Sequence, residues 1–431
     1  MMQIDQLYRQ TQSLLIYGEI WQHPTLAAWL DILQCLENDS SEVVLLQAYG
    51  KWFRAIATSK MGWQDFLWEQ WLLAENAFSL AAQSEDELLP SLGMATSHDL
   101  RVFQQILQCD CQWIWQSVKN KVQTSTIVPW VDRIARSSLN AREAAGELLR
   151  SQFIQLANWA DGLADLQTYY RQHGTGTFAN FYAFRWDHYH LAGITTPDPV
   201  RLENLVGYEW QRNALVQNTE ALVSGFAGLN VLLYGSRGSG KSSLIKALLH
   251  EFGDRGLRLI EVAKANLVDL PNIVEQLRSR PQKFIVFVDD LSFEDDDEAF
   301  KSLKVVLEGG LTARPKNVVV YATSNRRHLI REFYGDRPRP KDHDEIHQWD
   351  TLQEKLSFSD RFGLTLTFEP VLQPTYLQIV HHLAKAANLV IAEADLDFRA
   401  LQWATQHNGR SGRTAQQFID YLTAELNLRL S

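Results

Sequence analysis

The sequence has little that would suit a secreted, membrane-spanning or nucleic-acid-coating protein. Its three cysteines, Cys35, Cys109 and Cys111, are odd in number and lack metal-type pairing with histidines. Neither a disulfide framework nor a zinc site is therefore expected, and a reducing cytosol fits best. No apolar run reaches membrane-spanning length; "VVLLQAYGKWF" is broken by Gln47 and Lys51. The opening "MMQIDQLYRQTQ" has no basic start followed by an apolar core, so no secretory signal is expected. Positive charge is also scarce. A net charge of −10 argues against general DNA coating, though not against a local basic patch. The expectation is a soluble cytoplasmic protein without a membrane span.

What is present points to two or three domains, since 431 residues exceed one ordinary domain and 45% hydrophobic content suffices for several cores. Residues 1–173 repeat apolar positions at three- and four-residue spacing, as in "LAAWLDILQCLEN" and "QDFLWEQWLLAENAF", which predicts amphipathic helices. Eleven of the 14 tryptophans lie before residue 200, among them Trp63, Trp68, Trp71, Trp113 and Trp115. A tryptophan stripe at helical spacing is first of all a core, with a groove for a partner helix or peptide as the alternative. Residues 174–204 mix glycine, aromatics and proline without a lasting period and read as a packed connector. From 205 to 370, short apolar runs alternate with helical patterns, predicting an α/β domain with a parallel sheet. Strands are expected near 230–234, 257–263, 284–288, 317–322 and 364–368. Residues 371–431 return to a helical pattern.

Five elements of this second half carry chemistry. "GSRGSGKS", residues 235 to 242, fits G-x-x-x-x-G-K-[ST] between a strand and a helix. Its glycines let backbone N–H groups turn onto phosphate oxygens, Lys241 would reach the β/γ-phosphates, and Ser242 would ligate Mg²⁺. The bland alternative is a flexible glycine turn. "KFIVFVDD" ends a buried strand on two carboxylates, where ligands sit in open α/β sheets. Asp289 is placed to hold the magnesium shell and Asp290 to orient or polarise an attacking water. The acidic run Glu294 to Glu298 reads as a solvated cap at a helix start.

"NVVVYATSNRRHL" puts Asn325 at the mouth of a β-branched strand, where a neutral amide can bond a γ-phosphate or water; a mere strand-ending turn is the alternative. In "EKLSFSDRFGLTLTF", Arg361 precedes a strand at the domain edge, suited to a neighbouring subunit's γ-phosphate. Local pairing with Asp360 or Glu354 would be the unremarkable reading. In "HNGRSGRTAQQFIDYL", Arg413 opens a helix that would lean over the phosphates, with Arg410 as the competing candidate. The basic stretch 326–341, "RRHLIREFYGDRPRPK", reads as a solvated loop rather than a DNA contact.

Together, and in this order, these elements resemble the AAA+ superfamily of P-loop ATPases. Within that resemblance, Gly235 to Ser242 match Walker A, Asp289 and Asp290 Walker B, Asn325 sensor 1, Arg361 the arginine finger and Arg413 sensor 2. "LVGYE", with Val206 and Gly207, is similar to the segment lining the adenine pocket. A closer resemblance is to the bacterial AAA+ family called domain of unknown function 815. It is carried by "VDDLSFEDDDEAFKSLKVVLEGG", "RPKNVVVYATSNRRHL", "EKLSFSDRFGL" and "WATQHNGRSGRTAQQF", and spans roughly residues 174 to 428. One departure stands out: Walker B usually ends Asp-Glu, and here it ends Asp-Asp, so Asp290 has a shorter reach.

The resemblance implies an α/β P-loop core with a C-terminal helical lid, preceded by a mainly helical domain. It implies ATP and Mg²⁺ held by Val206, Gly207, Gly235, Gly238, Ser239, Gly240, Lys241, Ser242 and Ser243, with Ser242 and Asp289 at the metal. Lys241, Asp290, Asn325, Arg361 and Arg413 would act in hydrolysis. The expected activity is a Mg²⁺-dependent ATPase that remodels or switches a partner, assembling with its own copies when ATP-bound and meeting another protein through the N-terminal domain. The alternatives are an ATP-binding switch with little turnover and, less favoured, a nucleic-acid-associated loader. A P-loop kinase fits least, because no arginine-clustered acceptor lid is recognisable.

Overall fold

The computed structural model describes residues 4–83, 88–122, 127–131, 140–292, 298–308, 315–325, 358–407 and 409–430. Of the acidic run Glu294 to Glu298, residues 294–297 lie outside the described residues, as does the basic stretch 326–341, while Glu298 opens the helix Glu298–Glu308. The chain divides into two compact units, Met1–Asn180 and Phe181–Ser431.

The first unit is helical, with Pro24–Glu37, Glu42–Ser59, Trp63–Leu73, Pro90–Ile106, Ala141–Gln155 and Leu163–His173 as its longer elements. Local signals start several of them. Proline occupies the first turn at Pro24 and Pro90, where its missing N–H costs nothing. Asn140 and Glu143 form a reciprocal capping box ahead of Ala141–Gln155. The tryptophans make the core: Trp29, Trp52, Trp63, Trp68, Trp71 and Trp159 are all buried. They interlock edge-on and tilted, with Trp68 and Trp71 ring centres 4.8 Å apart and Trp29 and Trp63 5.3 Å apart. Trp113 and Trp115 are partly buried against the same core.

The second unit is built on a seven-stranded sheet. Its strands are β1 Ala183–Asp187, β2 His190–Ile194, β3 Val231–Gly235, β4 Leu257–Glu261, β5 Lys283–Val288, β6 Val318–Ser324 and β7 Leu364–Phe368. The order is β2-β1-β4-β5-β6-β3-β7, and every pairing but β1 with β2 is parallel. Central β5 and β6 are buried almost throughout, which explains their unbroken apolar runs. Leu215 and Leu222 of the helix Glu209–Val223, with Leu244, Ile245 and Leu248 of the helix Lys241–Phe252, pack on this sheet. Three C-terminal helices, Gln373–Ala386, Glu393–Gln406 and Gly412–Leu430, close around their own small core of Tyr376, Val380, Ala400, Phe418 and Leu422.

All five strands expected from the sequence are present. The stretch 174–204, which the sequence presents as a connector, contains more. It holds the helix Gly176–Asn180 and the β1–β2 hairpin, whose β1 pairs in parallel with β4 and extends the sheet. The hairpin turns through His188 and Tyr189, at φ 43° and 64°. Two left-handed residues make the favoured tight connection, but without the Asn-Gly pair that normally announces it.

Candidate functional site

Strand order gathers the polar residues. β5, β6 and β3 are neighbours in the sheet, so the residues that follow their C-terminal ends arrive side by side. These are Asp289 and Asp290 after β5, Asn325 after β6, and the loop 236–240 after β3. The crossover that leaves β3 beside both β6 and β7 opens a crevice at this edge, where ligands bind in open α/β sheets. A cleft of about 1110 Å³ lies there. Its lining includes Val206, Gly207, Gly238, Ser239, Gly240, Lys241, Ser242, Ser243, Asp289, Asp290, Asn325 and Arg413.

The loop after β3 has a conformation that side chains would not permit. Gly235 has φ 133°, and a Cβ there would lie 2.0 Å from the carbonyl oxygen of Phe368. That close approach allows Ser236 N–H to donate to the same oxygen at 2.8 Å, which ties the loop to the end of β7. Gly238 has φ 72°, and a Cβ there would meet Ser411 Oγ at 2.9 Å. At this point Arg413 N–H donates to Gly238 O at 3.3 Å, joining the loop to the start of the last helix. Lys241 is 6% exposed, and its ammonium donates to Gly235 O at 3.0 Å and Ser236 O at 2.6 Å. Burial pushes its pKa below the usual lysine value, while Asp289 and Asp290 pull the other way.

A compact network joins β5 to β6. Ser242 Oγ donates to Asp289 Oδ1 at 2.6 Å, and Thr323 Oγ1 donates to the same oxygen at 2.5 Å. Asp290 N–H donates to Thr323 Oγ1 at 2.9 Å, and Asn325 Nδ2 donates to Asp290 Oδ1 at 2.6 Å. Asp290 sits at φ 52°, a left-handed conformation uncommon for a residue other than glycine and enriched near functional sites. The Asn325 contact means that one oxygen of Asp290 is already engaged.

Arg361 stands apart from this set. It does not line the cleft, and its Nε donates to Glu308 Oε1 at 2.6 Å; Glu354, considered from sequence, lies outside the described residues. Arg410 likewise lines a neighbouring cleft rather than this one, together with Arg237 and His407. On the other wall, the Tyr208 hydroxyl donates to the carbonyl of Glu369. Ile379 and Leu383 add apolar surface beside Val206. Sequence reasoning missed Thr323, Glu308 and these two aliphatic residues. Thr323 had a signal, because strand alternation puts it on the same side as Asn325 two residues later. Glu308 had none, since nothing in sequence spacing pairs it with a residue 53 positions on.

The residues fit a nucleotide triphosphate with a divalent cation. The loop lines the cleft with Gly238 and Gly240 at positive φ, the turn that phosphate-binding loops use, and Ser242 and Asp289 form an oxygen pair of the kind that suits Mg²⁺. Among the described residues no cluster of His, Cys, Asp and Glu competes as a metal centre, and no helix is long and apolar enough to cross a membrane.

No curated protein matches the chain. Among solved structures, Thermotoga maritima RuvB, a Holliday junction branch migration motor, aligns at 15% identity with a TM-score of 0.38, covering 54% of this chain and 67% of that one. A proline-to-glycine mutant of the same protein aligns at 16% identity and 0.39, covering 54% and 68%. The family model "Protein of unknown function (DUF815)" matches residues 179–426, more than half of the sequence and almost all of the sheet-bearing unit. By that match, this chain belongs to the DUF815 family.

Proposed function

We propose that the chain is a Mg²⁺-dependent ATPase of the AAA+ type, which uses hydrolysis to remodel or switch a protein partner met through the tryptophan-rich N-terminal unit. The observation that carries this reading is the convergence of Lys241, Ser242, Asp289, Asp290, Asn325 and Arg413 on one cleft beside a glycine loop. In this reading the loop amides and Lys241 hold the β- and γ-phosphates, and Lys241 exchanges its two loop carbonyls for phosphate oxygens. Ser242 and Asp289 would hold Mg²⁺, which supplies charge neutralisation at the phosphate oxygens. Asp290 orients the attacking water, and Asn325 fixes which way that carboxylate faces. Arg413 covers the phosphates from the last helix, and Val206, Gly207, Ile379 and Leu383 receive the base. Arg361 lies off its own cleft, which suits a side chain offered to a second copy and hence assembly in the ATP-bound state. A cytoplasmic location agrees with the cysteine usage.

Phosphate release by purified protein tests the proposal. Wild type should turn over ATP, whereas Lys241→Ala and Asp290→Asn should not. Wild type that binds ATP yet releases no more phosphate than Lys241→Ala would end the hydrolysis claim. One observation favours a second reading, an ATP-controlled binding switch with little turnover. Asp290 is a short acid whose Oδ1 is already held by Asn325, which leaves it less free to serve water. In that case a nucleotide-dependent change in partner capture would persist without phosphate release.

A further inference from the structure

We infer that Thr323 is the positioning residue of this site: its single hydroxyl holds the Asp289 carboxylate and the Asp290 backbone that follow β5, and metal affinity of the nucleotide-loaded protein depends on it. This rests on the nucleotide-site reading above.

A hydroxyl has one proton to give. At Thr323 the donor and acceptor roles are assigned by the neighbours. Asp290 N–H, 2.9 Å away, can only donate, so Thr323 Oγ1 must accept there. Its own proton then goes to Asp289 Oδ1 at 2.5 Å, an oxygen that can only accept when ionised. The side chain is 2% exposed, so water is a poor substitute in either role. Thr323 thus fixes the Asp289 carboxylate and, through the amide, the left-handed backbone of Asp290.

The surrounding bonds explain why this matters for a cation. Among the described residues, the donors on Asp289 converge on Oδ1: Thr323 Oγ1, Ser242 Oγ and, at 3.2 Å, Asp290 N–H. The carboxylate is therefore held by one oxygen at the cleft wall while its other oxygen takes none of these bonds. The backbone supports the same arrangement, because Leu291 N–H donates to Thr323 O at 2.7 Å and Ser324 Oγ donates to Leu291 O at 2.8 Å. The end of β6 clamps residues 289 to 291 as a unit, and Thr323 is the member whose side chain meets both the Asp289 carboxylate and the Asp290 amide. Groups that orient a metal-binding carboxylate typically contribute roughly 10- to 100-fold to metal affinity or activity.

Binding of a fluorescent ATP analogue to the full-length chain, measured in EDTA and across a Mg²⁺ titration, tests this assignment. Wild type should bind in both conditions and more tightly with Mg²⁺. Thr323→Val, which keeps shape and loses the hydroxyl, should match wild type in EDTA but need roughly 10- to 100-fold more Mg²⁺ for half of the tightening. Thr323→Ser should restore the wild-type titration. The assignment is overturned if Thr323→Val titrates like wild type, if it loses binding equally in EDTA and Mg²⁺, or if serine does no better than valine. Wild type that binds no analogue in either condition would instead remove the nucleotide site itself, a result distinguishable from any of these.

Discussion

Asp99 of the N-terminal unit is buried and held by backbone N–H groups, whereas Asp289 of the sheet-bearing unit stands exposed at a cleft and is held by hydroxyl side chains. Asp99 shows the first pattern. It is fully buried and accepts the N–H groups of Leu15, Ile16 and Tyr17 at 2.9, 2.8 and 3.0 Å. Its capacity is committed to holding a loop in place. Asp289 and Asn325 show the second. Their bonds run to side chains of the same cleft, Ser242, Thr323 and Asp290, which in the proposed function a phosphate or cation would displace. Satisfied polar groups stabilise in both units, but only exchangeable ones leave room for chemistry. In the proposed function, the contrast would give stability to the tryptophan-rich unit and turnover to the other.

The largest effect should come from Arg361. If Arg361 acts on a neighbouring copy, Arg361→Ala should lower turnover by about 1,000-fold or more, with ATP binding by each chain retained. Mixing that variant with Lys241→Ala should restore part of the activity, because each then supplies what the other lacks. No recovery on mixing, in conditions where the two variants co-assemble, would place Arg361 in a local role with Glu308.

Much of this was legible in the sequence, for a physical reason. The loop after β3 announces itself because such a turn needs glycine where φ is positive, and Gly235, Gly238 and Gly240 all have it. Asp289 and Asp290 were visible because a fully buried strand leaves few polar residues, and those few stand at its end. Three features stayed hidden. The β1–β2 hairpin turns on His188 and Tyr189, residues that do not advertise a left-handed turn. Glu308 meets Arg361 only through tertiary packing. Thr323 shows in sequence only as a strand residue on the side of Asn325, and its bonds to both aspartates stay hidden until the neighbours are in place.

A second prediction addresses stability. Trp71 is 1% exposed and touches Tyr17, Trp68, Phe103, Phe153 and Trp159 with ring centres 4.8 to 6.1 Å apart. Trp71→Ala should destabilise the N-terminal unit by about 3–5 kcal/mol, read as an earlier transition in denaturant. Its buried indole N–H has no acceptor among the described residues, so Trp71→Phe should cost far less than alanine. The comparison sharpens if analogue binding is unchanged in both variants, and breaks if the alanine variant loses it.

The smallest effect concerns the cysteines, which separate packing from reactivity within the N-terminal unit. Cys109 is 2% exposed, and burial pushes its thiol up from 9.0 to about 12, with Asp110 adding to the shift. The thiolate is the nucleophile, so native Cys109 should resist alkylation at neutral pH while half-buried Cys35 reacts first. The same shift carries a sign for stability. The folded state keeps the proton longer than the unfolded chain, so this contribution is intact below about pH 9 and is lost as pH rises towards 12. A Cys109→Ala variant should therefore show a flatter alkaline loss of stability than wild type over that interval. Equal slopes would mean that the thiol is reached by water in the native protein, and that this core is looser than its tryptophan packing implies.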